Sequence, residues 1–230
     1  NDFILNLQLQ ITNADVAFNA PLQFDASIKA GPVRVADMFN LYRFENQLYV
    51  MRMTGEEIRK HLEMSYDLWV NTMKSANDHL LLLSDTREDA QRLGFKNFTF
   101  NFDSAAGIDY VVDVTKPDGE KVKIMCMSDG KHFDENKWYK VALNSYRGNG
   151  GGELLTKGAG IPKDSLDSRI IYRSPRDQRY YLMQEIEKMG TVYAKPNNNW
   201  KFIPEEWTVP AAKRDSLILF GQKADIKDEK

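Results

Sequence analysis

The sequence is poor in the residues that most often build metal sites and nucleophiles. Its 230 residues include one cysteine, Cys126, and three histidines, His61, His79 and His132. A single cysteine excludes an intramolecular disulfide and any site made of several thiolates. The histidines show neither H-x-H nor H-E-x-x-H spacing, so we expect no metal site within this chain. Cys126 lies in the apolar strand pattern VKIMCMS, which predicts a buried thiol rather than a nucleophile.

The sequence also lacks basic clusters and long apolar runs. The formal net charge is -2, the pI is about 6.0, and no polybasic block is present, which argues against binding to a nucleic-acid polymer. The longest apolar runs, such as HLLLL at 79–83, are far shorter than the roughly 20 residues of a membrane span. No serine lies in a G-x-S-x-G elbow, and no lysine follows the glycine run as in a phosphate-binding P-loop.

Two helices are marked by signals at their ends. Thr54 and Glu57 form a capping box, in which each side chain satisfies a free backbone N–H at the start of a helix. The segment SPRDQRYYLMQEIEKMG predicts a second helix, with Ser174 as its N-cap, Pro175 at its first position and Gly190 as its stop.

Strand patterns dominate the middle of the chain. Residues 98–146 predict several strands, separated by turn signals at 117–119 and 128–130, as in antiparallel hairpins. The first residues predict an amphipathic helix, and the polar residues 75–92 predict an excursion from the core. Helices that bracket mainly antiparallel strands favour an α+β architecture over βαβ alternation.

The stretch ALNSYRGNGGGELL places an aromatic side chain, Tyr146, at a strand end before a glycine-rich loop. Glycines let a backbone approach a ligand closely. Phe44 lies in a similar setting, just before a strand, with Asn46 two residues later. Two aromatic faces can hold a planar base at about 1–3 kcal/mol of stacking per base, and an amide can pair with base edges. The alternative is that these aromatics are core or lid residues.

At these residues the sequence resembles a known family. The segments ADVAFNAPLQFDASIKAGPVRVADMFNLYRFENQLYVMRMTGEEIRKHLE, GIDYVVDVTKP and YKVALNSYRGNGGG resemble the C-terminal domain of the 5'-nucleotidase family, over about residues 2–202. The forms NSYRGNGG and NNNWKFIP are more similar to the branch of 2',3'-cyclic-nucleotide 2'-phosphodiesterases with 3'-nucleotidase activity. The resemblance implies a four-layer α/β/β/α unit with mixed, mainly antiparallel strands. We assign residues 1–208 to this nucleoside-recognition domain and 209–230 to a partly flexible C-terminal extension.

The resemblance implies roles for five residues. Phe44 and Tyr146 match the two aromatics that stack on the base, and Asn46 matches an asparagine that bonds the base edge. Gly107 matches a glycine that lets the base lie close to the backbone. Asn19 matches the asparagine that opens the Asn-Gly-Gly-Gly-Ile-Arg motif of the monophosphatase branch.

Three residues bear on the phosphate and the sugar. Phe24 and Gly152 stand where the monophosphatase branch has an arginine and a ribose-binding aspartate. Both departures argue against a simple AMP hydrolase, because phenylalanine cannot make the charge-assisted bonds of an arginine. They fit a substrate whose 2' and 3' oxygens are tied in a cyclic phosphate. Arg147 is a candidate to hold a phosphate, and the alternative is an ordinary surface arginine.

The resemblance further implies that the chemistry lies outside this chain. An N-terminal metallophosphatase domain with two divalent metal ions would hydrolyse the phosphoester, so we expect no catalytic residue, metal ligand or cofactor here. The chain begins without a signal-peptide pattern and inside a structured element, which predicts a piece of a longer protein. The expected partners are a nucleoside or nucleotide and the chain's own N-terminal domain, in an extracytoplasmic location. The alternative is a non-catalytic or degenerate binding module of the same fold.

Overall fold

The computed structural model describes residues 1–22, 28–84, 93–193 and 195–221. Phe24 and the part of the predicted excursion at 85–92 lie outside these residues. The helices are α1 (Asp2–Thr12), α2 (Asp37–Leu41), α3 (Gly55–Trp69), α4 (Ser145–Gly148), α5 (Leu166–Arg169), α6 (Gln178–Met189) and α7 (Glu205–Phe220). The strands are β1 (Val16–Asn19), β2 (Gln47–Thr54), β3 (Ser104–Ala106), β4 (Ile108–Asp113), β5 (Val122–Met127), β6 (Trp138–Asn144), β7 (Ile170–Asp177) and β8 (Trp200–Ile203).

The strands form two mixed sheets. A five-stranded sheet has the order β3-β1-β6-β2-β7, and a three-stranded sheet has the order β5-β4-β8. Within the described ranges, β1 with β6 and β4 with β8 pair in parallel, whereas the other four pairings are antiparallel. The predicted α+β class with mixed, mainly antiparallel strands is therefore confirmed.

Helix α3 joins the two sheets. Its apolar residues Ile58, Leu62 and Tyr66 recur every four positions, so they lie on one face of the helix. All three are fully buried in a core to which strands of both sheets contribute. A second cluster, in which Ile4 of α1 packs with Leu182 of α6, lies between helices of the first half and the second half of the chain. The core therefore depends on contacts between segments distant in sequence.

The predicted start of helix α6 is wrong. Ser174 and Pro175 lie in strand β7, and the helix begins at Gln178 with Asp177 as its N-cap. The hydroxyl of Ser174 is the reason, because it accepts the backbone N–H of Leu48 and fixes β7 beside β2. The predicted stop is confirmed, since Gly190 caps the helix at φ 67°.

Two other predictions need adjustment. Cys126 lies on β5 at the side of the smaller sheet, and its thiol is only half-buried.

The boundary placed after residue 208 falls inside helix α7, whose Ala211 and Asp215 are buried. Asp215 accepts bonds from the ring Nδ1 of His79, at 2.5 Å, and from the backbone N–H of Leu81. Residues 209–220 therefore pack against the rest of the domain.

None of the described helices has both the length and the apolar character to cross a membrane.

The capping box at the start of α3 is present as predicted. The Thr54 hydroxyl accepts the N–H of Glu57, and the Glu57 carboxylate accepts the N–H of Thr54. We expect Thr54→Ala to lower the free energy of unfolding by about 1 kcal/mol, because an N-terminal N–H loses its partner. Urea unfolding measures the change, with Thr191→Ala at an exposed position as the control. Equal stability of the two variants would show that the box contributes nothing.

Candidate nucleoside-binding site

Four of the candidate residues meet at one end of the larger sheet. Strand β2 begins where β6 and β1 end, because β2 runs antiparallel to β6 and β1 runs parallel to it. Phe44 and Asn46 precede β2, Tyr146 follows β6, and Asn19 is the last residue of β1. The structure thus brings these four residues to one end of the sheet from three separate segments.

Tyr146 lies against the glycine loop that follows it. Its ring is so close to Gly151 that a Cβ atom there would lie 2.5 Å from the ring carbon Cε2. The ring of Phe100 meets the tyrosine ring edge to face, with 6.2 Å between centroids. The side chain of Tyr146 is still 41% exposed. A glycine at 151 therefore lets the ring lie down on the backbone while part of it stays open to solvent.

Phe44 and Asn46 lie in the segment that precedes strand β2. Phe44 is half-buried at the margin of the cluster between α1 and α6, and the Arg43 guanidinium lies 4.8 Å from its ring centroid. The Asn46 amide donates to the Tyr42 hydroxyl at 3.3 Å. Tyr42 is fully buried, and burial, opposed by bonds with Asn46 and Asn144, raises the pKa of its hydroxyl to about 12. A neutral buried phenol therefore positions Asn46.

Arg147 does not have the role suggested for it, because its guanidinium is occupied within the chain. It is only 2% exposed and uses all five N–H groups. Nε and Nη2 bond the two carboxylate oxygens of Asp103, each at 2.9 Å. The remaining donors bond the Phe100 carbonyl, the Asn101 side-chain oxygen and, at 2.6 Å, the Gly151 carbonyl. Arg147 therefore holds the loops together and has no N–H left for a phosphate.

A histidine completes this buried network. The Nε2 atom of His61, on helix α3, lies 2.8 Å from Asp103 Oδ2. The imidazole is fully buried and stacks on Phe18 of β1, with 4.1 Å between centroids and planes 6° apart. The hydroxyl of Ser65, one turn further along α3, donates to the Asp103 carbonyl at 2.8 Å. Helix α3 and the larger sheet are thereby tied to the segment that carries Asp103.

The charges of the network follow from burial and proximity. Burial alone would raise the pKa of Asp103, but the Arg147 charge and the bonds from His61 and Arg147 hold it at about 2. Burial lowers the pKa of His61, against the opposing effect of its bond with Asp103. At neutral pH the network is therefore an Arg–Asp ion pair beside a neutral imidazole, which donates from Nε2 to the carboxylate.

Asn19 and Gly107 lie at opposite ends of strand β1, and only Asn19 is at the end where the site lies. Asn19 is buried, and its amide donates to the side-chain oxygen of Asn1 at 2.6 Å and to the Ala20 carbonyl at 2.9 Å. Gly107 follows β3 at the opposite end of β1, roughly 10 Å along the strand from Asn19. A Cβ atom at Gly107 would lie 2.2 Å from the Asp15 carbonyl oxygen. The structure does not bring Gly107 to the site, and its glycine is needed for backbone packing.

Gly152 also has a steric explanation. Its φ is 69°, and a Cβ atom there would lie 2.1 Å from Asn101 Oδ1 and 2.3 Å from Arg147 Nη1. The place of a side chain at 152 is therefore taken by the Asn101 amide. An aspartate at this position, as in the monophosphatase branch, would require both neighbours to move.

Four residues of this region, His61, Phe100, Asn101 and Asp103, were not predicted from the sequence. The signal for the last three was the segment FTFNFD at 98–103, where polar residues alternate with aromatics. This alternation predicts a strand, but residues 99–101 form a short 3-10 turn instead. Phe102, directly after the turn, is fully buried, whereas Phe100 within it reaches Tyr146. For His61 the sequence carried no signal, because its partner lies 42 positions away.

The side chains at this end of the sheet are of the types that bind a planar ligand. Aromatic, amide and glycine groups face the site, and they suit a planar ligand with hydrogen-bonding edges. Across the described part of the chain, no three His, Cys, Asp or Glu side chains are grouped as a metal site. These residues therefore do not fit the pair of metal ions that the resemblance implies for the complete enzyme.

The mixed-sheet fold, with aromatic, amide and glycine groups at one end of the larger sheet, is that of a candidate ligand-binding domain. The model of the family "5'-nucleotidase, C-terminal domain" matches residues 1–157. This match covers more than half of the chain, so the chain belongs to the 5'-nucleotidase C-terminal domain family.

Relatives with curated names are longer phosphoesterases. The chain is 28% identical over 234 residues to the trifunctional nucleotide phosphoesterase protein YfkN of Bacillus subtilis, covering 94% of this chain and 15% of YfkN. It is 30% identical over 192 residues to a 2',3'-cyclic-nucleotide 2'-phosphodiesterase/3'-nucleotidase of Haemophilus influenzae, covering 77% of this chain and 26% of that protein. The chain therefore spans about a quarter or less of the length of these relatives.

Solved structures share the fold. A Staphylococcus aureus protein assigned as a 5'-nucleotidase, in complex with alpha-ketoglutarate, matches with a TM-score of 0.67 at 23% identity, over 87% of this chain and 35% of that one. The NAD nucleotidase of Haemophilus influenzae matches with a TM-score of 0.59 at 20% identity, over 87% of this chain and 32% of that one. At these identities the likeness concerns the fold alone.

The ion pair gives a test of the network. Asp103→Asn leaves the Arg147 guanidinium buried without a counter-charge, so we expect it to lower the free energy of unfolding by roughly 3–5 kcal/mol. Urea unfolding at pH 7 measures the loss. The control is Asp129→Asn, which removes an exposed carboxylate bonded to Lys131 and is expected to leave stability unchanged. A similar small effect in both variants would contradict the structural role assigned to Asp103.

The neutral state of His61 predicts a dependence of stability on pH. Because burial lowers its pKa in the folded protein, the unfolded chain binds a proton that the folded chain does not as pH falls below about 6.5. His61 alone should therefore remove up to about 2 kcal/mol between pH 7 and pH 5. Asp103 also makes stability depend on pH, but only below about pH 4. Its pKa is about 2 in the folded protein, so its contribution to stability is lost as the pH falls from about 4 towards 2.

The comparison of urea unfolding at pH 7 and pH 5 isolates this effect. We expect His61→Phe to be less stable at pH 7 but to lose less stability on acidification than the wild type. The exposed His132→Gln serves as the control and should retain the wild-type pH dependence. A wild-type pH dependence in His61→Phe would show that folding does not lower the pKa of this imidazole, and a steeper loss of stability in the variant would show that the imidazole is already protonated in the folded protein.

Proposed function

We propose that this chain is the nucleoside-recognition domain of a longer nucleotide phosphohydrolase. The observation that carries the proposal is the partly exposed ring of Tyr146, which lies on Gly151 at the same end of the sheet as Phe44 and Asn46. A base stacked between the two aromatics would present its edge to the Asn46 amide. Membership of the 5'-nucleotidase C-terminal domain family supports this assignment.

The substrate class that we propose is a nucleotide with a 2',3'-cyclic phosphate or a 3'-phosphate. The support is chemical and steric. The Asn101 amide occupies the space that a carboxylate side chain at Gly152 would need. A carboxylate would accept bonds from free ribose hydroxyls, but it would repel a phosphate at the same oxygens. The name of the Haemophilus influenzae relative agrees with this class.

Hydrolysis is assigned to the remainder of the longer protein. Two divalent metal ions in an N-terminal domain would activate water and polarise the phosphoryl group. The contribution of this chain is to bind and orient the nucleoside, which can supply a large part of an enzymatic rate. An extracytoplasmic location, as expected of scavenging nucleotidases, is part of the same proposal.

The experiment is a calorimetric or NMR titration of the chain with adenosine, 3'-AMP, 5'-AMP and 2',3'-cyclic AMP. Stacking and a few hydrogen bonds predict a Kd near 1 mM, or about 4 kcal/mol. Tyr146→Ala and Phe44→Ala should each weaken every ligand by about 1–3 kcal/mol. The control is Tyr193→Ala, which removes a 79% exposed tyrosine.

Two results would overturn the proposal. Unchanged affinity in Tyr146→Ala and Phe44→Ala would show that the aromatic pair does not stack on the base. Failure of every nucleotide to bind would instead favour a non-catalytic module of the same fold with a different ligand. A far-UV circular dichroism spectrum of each variant confirms that the fold is retained.

A further inference from the structure

Asn101 lies close to the ring of Tyr146, on which the base is proposed to stack, and has so far no role in binding. We call the Tyr146 ring on Gly151 the base platform. A series of close approaches connects the two residues. The Tyr146 ring lies on Gly151, and the neighbouring Gly152 has its Cβ position 2.1 Å from Asn101 Oδ1. Phe100, the residue before Asn101, meets the Tyr146 ring edge to face. The Asn101 amide is therefore next to the platform, on the side of the glycine loop.

The orientation of this amide follows from its neighbour. A guanidinium has only donors, so the Asn101 atom that lies 3.2 Å from Arg147 Nη1 must be the oxygen Oδ1. The amide nitrogen Nδ2 consequently points away from Arg147. Within residues 1–22, 28–84, 93–193 and 195–221 it donates to no partner, although the side chain is half-buried. Two N–H donors are thus held in a fixed orientation and left available.

The surroundings make this a site for an acceptor rather than for a donor. The Arg147 charge is compensated by Asp103, so the site offers directed N–H groups without a free cation. A phosphate oxygen is the strongest acceptor that a nucleotide carries, and hydrogen bonds to ionised acceptors are roughly twice as strong as neutral ones. The sugar oxygens of a bound nucleoside are only neutral acceptors.

We propose that Asn101 is a specificity-determining residue whose Nδ2 donates to the phosphate on the 2' and 3' oxygens of the bound nucleotide. The inference rests on the proposed function and adds the group that distinguishes a phosphorylated sugar from a free one. Arg147 acts behind it as a positioning residue, because it fixes the amide oxygen. Gly152 makes the arrangement possible, since any side chain there would displace the amide.

The test uses Asn101→Asp in the full 230-residue chain. The new carboxylate keeps an oxygen for Arg147 Nη1, so the fold should be retained, but it replaces two donors with a negative charge. We expect affinity for 2',3'-cyclic AMP and for 3'-AMP to fall by about tenfold or more. Adenosine affinity should change by less than about twofold, because stacking on Tyr146 does not involve the amide.

The matched control is Asn149→Asp, which adds the same charge at an exposed asparagine of the glycine loop. It should weaken the phosphorylated ligands by no more than about twofold, since an exposed charge is screened by solvent. A second variant, Asn101→Ala, removes the donors without adding charge and should lower the preference for 2',3'-cyclic AMP over adenosine.

The outcomes separate the two proposals. If Asn101→Asp weakens adenosine and 2',3'-cyclic AMP equally, or weakens neither, the role of Asn101 is overturned while nucleoside recognition stands. An equal loss in Asn149→Asp also overturns it, because general charge repulsion then explains the effect. If the wild-type chain binds none of these ligands, the proposed function and this inference fail together.

Discussion

The buried ion pair between Arg147 and Asp103 is the constraint on which the site depends. Taking two charges out of water costs several kcal/mol for each ion, and the cost is offset only when the geometry is good and every polar atom finds a partner. Here the guanidinium meets the carboxylate with two bonds of 2.9 Å and uses its other three donors on nearby oxygens. The segments 100–103 and 147–151 must therefore adopt one arrangement relative to each other, because any other arrangement leaves a charge buried and unpaired.

The binding groups are held by this arrangement. The Gly151 carbonyl, bonded to Arg147, fixes the backbone on which the Tyr146 ring lies, and the Asn101 oxygen is fixed by the same guanidinium. His61 and Phe18 connect the ion pair to helix α3 and to strand β1 of the larger sheet. The candidate binding groups at this end of the sheet are therefore oriented by contacts with the core.

The residues proposed to contact the ligand could be selected from the sequence, whereas the residues that hold them in place could not. Phe44 and Tyr146 could be found because a strand end, an aromatic and turn-forming residues are adjacent in the sequence, and the capping box of α3 is local too. Arg147, Asp103 and His61 are separated by more than 40 positions, so no local pattern connects them. The start of α6 was misjudged for a similar reason, because Ser174 bonds a residue 126 positions away.

The glycine run shows why local reasoning about flexibility is incomplete. Four glycines in five positions suggest an open, mobile loop, yet Gly151 and Gly152 are required because a ring and an amide occupy the places of their side chains. A loop that is packed before the ligand arrives loses little conformational entropy on binding. The glycines at 151 and 152 therefore serve close packing, because their lack of side chains is what lets Tyr146 and Asn101 be held in place.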